Sequence, residues 1–166
     1  MKKYALAAMI AATMALTACG SSDKKDDTSG GDTTAASGGS NQALSYSDFV
    51  AQANKLCAGV NAKVASAGTG LTGEAANDAP ILDKLLPLLK DAAASLDTIT
   101  PPDELADAWN TFKADVKSQI TEDDTALAAA KAGDDETYKA QLAKLQQLDA
   151  QTNTDAAATG AAECAK

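Results

Sequence analysis

Thiols and carboxylates dominate the chemistry this chain can offer: three Cys and 23 Asp plus Glu, with no His at all and no Arg among its 14 basic residues. Without imidazole there is no Ser-His or Cys-His nucleophile and no imidazole general base. The three methionines, Met1, Met9 and Met14, all lie near the start. The rest of the chain therefore lacks the usual side-chain sets for zinc and copper, and without Arg it lacks a bidentate phosphate clamp. Paired carboxylates leave a glycosidase formally open. No acid, however, stands in an apolar segment that would raise its pKa as a general acid requires. The expectation is a protein that is not an enzyme, with no cofactor and no catalytic or metal-ligating set.

Three patterns look like sites. Gly68-Thr69-Gly70-Leu71-Thr72-Gly73 spells G-x-G-x-x-G, but the dinucleotide fingerprint needs a strand before it and a helix opening on it. Here it follows a helical pattern, so it reads as a flexible loop. Glu122-Asp123-Asp124 and Asp134-Asp135-Glu136 offer carboxylate oxygens for Ca²⁺ without the alternating ligands and bidentate Glu of an EF-hand. The second triplet suits a helix N-terminus, where the dipole favours acids. Trp109, Phe112 and Tyr138 are the aromatic candidates for a ligand pocket, although their helical spacing equally suits a core.

The segment ahead of Cys19 carries a different message. Lys2 and Lys3 precede an apolar run from Tyr4 to Ala15, followed by Leu16-Thr17-Ala18-Cys19. A basic start, a short apolar stretch and small residues before a cut describe a secretory signal peptide rather than a membrane-spanning helix. Leu-Thr-Ala-Cys resembles a bacterial lipobox, which implies cleavage before Cys19 and diacylation of its thiol. The expectation is a signal peptide over 1–18 and a palmitate-type anchor at Cys19, placing the protein on the extracytoplasmic face of the cell membrane.

Cleavage there would remove the charges of Lys2 and Lys3 and deepen the net charge from −9 to −11. An acidic surface without Arg argues against nucleic acid and against docking on anionic lipid, which leaves the acyl chains as the membrane attachment. From Gly20 to about Leu44 the chain is mostly Gly, Ser, Thr, Asp and Ala. Such a stretch cannot bury enough surface to offset its entropy, so residues 19–45 read as a lipidated, disordered tether spanning roughly 25–30 Å.

Residues 46–166 suffice for one domain, and their apolar periodicity is helical throughout. Helix one begins after Ser45 and carries Phe49, Val50, Ala53, Leu56, Cys57, Val60 and Val64. Helix two starts near Pro80, carries the leucine-rich run, and should kink at Pro87. Thr100-Pro101-Pro102-Asp103-Glu104 opens helix three, which stops at Gly133. Helix four carries Tyr138, Leu142, Leu145 and Leu148 and ends near Gly160. Short connections favour antiparallel neighbours, hence an all-α, up-down four-helix bundle with a core rich in Ala.

After maturation Cys57 and Cys164 would be the two unacylated thiols of an exported protein, where pairs form disulfides. Helix one and the tail after helix four are neighbours in such a bundle, so the predicted bond closes the fold. No Cys-x-x-Cys spacing supports a redox role.

The order of Cys57-Ala58-Gly59-Val60-Asn61-Ala62, the leucine-rich segment with Pro87, Thr100-Pro101-Pro102-Asp103-Glu104-Leu105, Ala132-Gly133-Asp134 and Gly160-Ala161-Ala162-Glu163-Cys164-Ala165 resembles a group of small exported helical proteins and lipoproteins of high-GC Gram-positive bacteria. That resemblance implies the bundle and the Cys pair and no activity. The expected function is a non-enzymatic binding or interaction module in the cell envelope, for a protein or small ligand. Trp109, Phe112 and Tyr138, or the acidic group Glu122, Asp123 and Asp124, are the candidate contacts. A carboxylate-based wall hydrolase and a purely structural spacer are the alternatives.

Overall fold

A computed structural model describes residues 43–166. The signal segment, Cys19 and the tether up to residue 42 lie outside the described residues. Four helices form: α1 (Tyr46–Ala67), α2 (Ala75–Leu96), α3 (Ala106–Ala132) and α4 (Asp135–Ala158), with one-turn 3₁₀ helices at Asp103–Leu105 and Ala162–Cys164. Among the described residues there is no strand.

The helix ends follow local chemistry. The Ser45 side chain accepts from the Asp48 N–H and starts α1, and Asp134 does the same for Thr137 at the start of α4. Gly133, at φ 70°, turns the chain left-handed between α3 and α4, a conformation that costs glycine little. The sequence expectation errs at α2, which begins five residues before Pro80 and holds both Pro80 and Pro87 inside it. The cause is Asp78. Its carboxylate binds back to the loop before the helix and stabilises an additional turn there.

The helices pack in chain order, α1 on α2, α2 on α3 and α3 on α4. The remaining seam, between α1 and α4, is bridged by the Ala162–Cys164 turn, which packs on both. Cys57 and Cys164 form the expected disulfide, with a Cα–Cα distance of 5.0 Å. Two asparagines of α1 fasten the same turn: Asn61 Nδ2 donates to the Glu163 carbonyl and Asn54 Oδ1 accepts from the Glu163 N–H, each at 2.8 Å.

The core is split. Phe49, Ala53, Leu96, Trp109, Phe112 and Ala156 fill one end. Ala75, Leu82, Leu85, Leu86, Leu127 and Tyr138 fill the other. Many of these side chains are alanine, so neither cluster is deep enough to reach the other across the bundle's middle.

Candidate functional site

Between the two clusters lies a cavity of about 290 Å³ to which all four helices contribute. That is roughly twice the ~150 Å³ that accepts a benzene ring in an apolar core. Its apolar wall is Leu56, Val60 and Val64 of α1, Leu89, Ala92 and Leu96 of α2, and Phe112 and Val116 of α3. The disulfide sulfurs' residues, Cys57 and Cys164, line it as well. The reason it stays open is in α4. The Leu142, Leu145, Leu148 stripe ends, and the α4 residues facing this space are Asp149, Thr152 and Asn153. None of these can fill the volume that a leucine would.

The polar side of the cavity is unusual in its hydrogen bonding. Thr152 is 5% exposed, yet its Oγ1 has no hydrogen-bond partner. A buried hydroxyl left unpaired costs on the order of 1–3 kcal/mol, and the oxygen itself is closed off from the accessible space of the cavity. Gln119 Nε2 donates to Asp149 Oδ1 at 2.7 Å. Desolvation beside the cavity raises the Asp149 pKa, and the Gln119 bond partly opposes the rise. One turn along α3 from Gln119, Asp123 is pushed up to about 6, by burial first and then by repulsion from Asp149 and Asp124. Here the sequence reading is corrected: Asp123 does stand where its pKa is raised, because it turns inward between the helices. Asp123 is nonetheless not among the residues lining the cavity.

The aromatic candidates do not meet in one cleft. Trp109 and Tyr138 are fully buried, in opposite clusters. The Trp109 ring lies edge-on to Phe49 at 5.0 Å and tilted against Phe112 at 5.2 Å. Phe112 alone of the three lines the cavity. The acidic group is likewise divided. Glu122 pairs with Lys144 of α4, Asp124 pairs with Lys90 of α2, and Asp123 turns inward. These three carboxylates do not present one uniform acidic face.

The glycine-rich loop is occupied by its own chain. The Thr72 and Gly73 N–H groups donate to Asp78 Oδ1 and Oδ2, each at 2.7 Å, and the Thr72 hydroxyl adds a bond at 3.0 Å. A phosphate-like cradle has formed, and an internal carboxylate fills it. The loop is therefore pinned rather than flexible. Asp134 of the second acidic triplet serves as the α4 cap. Among the described residues, no group of three His, Cys, Asp or Glu is placed to hold a metal ion, and no helix is long and apolar enough to cross a membrane.

Sequence reasoning missed the cavity. Its one visible signal is Thr152, a polar residue at a position of the α4 stripe where the preceding pattern calls for leucine. Comparison with protein-family profiles, curated proteins and solved structures gives no match.

Proposed function

We propose that this chain is a lipid-anchored domain of the cell envelope that binds a small apolar ligand, without chemistry, in the cavity between its two core clusters. The signal pattern ahead of Cys19 supports export and anchoring, and the acidic, Arg-free composition supports attachment through acyl chains alone. The observation that carries the binding reading is the cavity itself: about 290 Å³, walled by leucine, valine and Phe112, with the unpartnered Thr152 hydroxyl beside it. Its volume sits near the lower end of ordinary ligand sites, roughly 300 Å³.

The anchor is checked by detergent-phase partition of the protein expressed in a bacterial host, which Cys19→Ala should abolish. The binding site is checked on the full Cys19→Ala chain, titrated with 1-decanol. Phe112 touches both the cavity and Trp109, so indole emission should change and saturate. Val60→Phe, which fills the cavity, should remove the response while the fold is retained. A flat titration of the unfilled protein would end this reading.

A carboxylate wall hydrolase is the second reading, and Asp123 is the observation in its favour, an acid that keeps its proton to about pH 6. Clearing of purified peptidoglycan that is lost in Asp123→Asn would replace binding with hydrolysis.

A further inference from the structure

Lys55, Gly59 and Lys63 of α1 follow one another at four-residue steps, so they stand in one row along the helix. That row borders a groove of about 420 Å³, open to solvent, between α1 and the C-terminal end of α2. Leu56, Val60 and Ile99 give the groove an apolar floor. It continues toward the middle of α2 as a smaller hollow that reaches Leu88 and Ala92. From Gln52 to Lys63 the α1 wall is roughly 17 Å long, three turns of helix.

Two features of this row have no use within the domain. A glycine inside a helix is destabilising relative to alanine, and it is explained where a neighbour packs too closely for a Cβ. A Cβ on Gly59 would meet no atom within 4 Å. The missing methyl makes room for nothing in this chain and leaves the α1 backbone bare on the groove side. The lysines are likewise uncommitted. Six other lysines pair with carboxylates, whereas Lys55 and Lys63 have no ion pair among the described residues. Asp91 is the one acid lining the smaller hollow, so this edge is net positive on a chain of net charge −9.

We infer that the groove between α1 and α2 docks an amphipathic helix of a partner protein, one whose apolar stripe is bordered by Asp and Glu. Three turns accept anchors spaced at i, i+4 and i+7. The bare backbone at Gly59 lets the partner helix come closer than the usual interaxial distance of about 8–10 Å. The floor supplies affinity through burial, and two lysines roughly 12 Å apart select for acid on the partner. A second copy packed symmetrically would set the lysine rows against each other. The tether enters beside the groove, where the Leu44 N–H donates to the Thr100 carbonyl. It has no large apolar residue between Gly20 and Gln42 to lie on the floor.

The test uses the full Cys19→Ala chain and two labelled 15-residue helical peptides with one leucine stripe, bordered by Glu in the first and by Lys in the second. Fluorescence anisotropy should rise and saturate with the Glu peptide, at least tenfold tighter than with the Lys peptide, and the difference should shrink with salt. Lys55→Glu combined with Lys63→Glu should invert that order. Gly59→Ala should raise Tm by about 2–5 °C and still weaken the Glu peptide at least threefold. A glycine kept for the domain's own packing would not give that pair of results. Gly59→Leu should weaken the peptide tenfold or more and leave the 1-decanol response unchanged, because Gly59 lines the groove and not the internal cavity. Equal binding of the two peptides, or full binding to Gly59→Leu, would overturn the proposal. If neither peptide binds, the proposal falls while the internal cavity keeps its own assay. A dimer in sedimentation that Gly59→Leu dissolves would overturn it too, giving the groove to a second copy.

Discussion

The Tyr138 hydroxyl of α4 donates to Asp78 Oδ2 of α2 across 2.8 Å of buried space. This bond ties together two helices that are not sequence neighbours, and it completes the set around a carboxylate that is only 1% exposed. Burial works against the Asp78 charge, but bonds from Thr72, Tyr138 and Gly73 outweigh it and hold the pKa below the usual carboxylate range. Tyr138 in turn keeps its proton far above the ordinary phenol range, through burial first and then the adjacent Asp78 charge.

Tyr138→Phe should therefore destabilise the domain by about 1–3 kcal/mol at neutral pH, the cost of stranding a buried charged acceptor. Because the folded pKa of Asp78 is depressed, its stabilisation is present above the unfolded value near 4 and fades as pH falls through the lower folded value. Losing the Tyr138 bond raises the folded pKa. Acid unfolding should shift to higher pH in the variant. Denaturant melts between pH 2 and 7 would measure both effects.

Asp123 has the opposite sign. Its folded pKa of about 6 lies above the 3.8 of an unperturbed carboxyl, so the folded state holds the proton more tightly than the unfolded one. Its contribution is most favourable at low pH and is lost as pH rises from about 4 through 6. Asp123→Asn should stabilise the domain by about 1–2 kcal/mol at pH 7, after allowance for solvent screening, and by nearly nothing at pH 4. A variant that gains equally at both pH values would show that the carboxylate is not the cause.

Reduction, or Cys57→Ser, removes a cross-link that spans 107 residues. The chain-entropy account assigns roughly 4–5 kcal/mol to a loop of that length, so a loss of at least ~2 kcal/mol is expected in a core this rich in alanine. Thiol labelling of the unreduced protein should find neither Cys57 nor Cys164.

Gly160 sits at φ 79° between α4 and the last 3₁₀ turn, and a Cβ there would run into the Tyr46 hydroxyl. Tyr46 is half-exposed and can swing aside, whereas the backbone cannot. Gly160→Ala should cost about 1–2 kcal/mol, and most of that should remain when Tyr46→Ala is added. Thermal melts of the single and double variants separate the two contributions.

Much of the fold was legible because it is written locally. Ser45, Pro101 and Pro102, Gly133 and the leucine run mark starts, stops and faces within a few residues of where they act. The disulfide was legible from the export signal expected ahead of Cys19 and from chain order in a bundle. The start of α2 was not, because the bond from Asp78 to Thr72 and Gly73 competes with the proline signal and wins. The cavity was not legible either. It arises from a sum over four helices: two alanine-rich clusters too shallow to meet, and a polar Asp149, Thr152 and Asn153 where the fourth wall should close. Asp123 looked like one of three surface acids, and only the helix rotation shows it facing inward.

The Cys57–Cys164 bond also decides how the domain carries a load. For a pull applied between the two ends of the chain, the covalent path runs from Tyr46 along the first three turns of α1 to Cys57, crosses to Cys164, and leaves through Lys166. Residues 58–163 are bypassed. Peeling the segment ahead of Cys57 frees about 11 residues, which lengthen from ~17 Å of helix to about 40 Å extended. That is roughly 20 Å of slack, and after that the tension reaches only covalent bonds. Most of the bundle, with most of the cavity wall, keeps its packing under strain as long as the sulfurs stay joined.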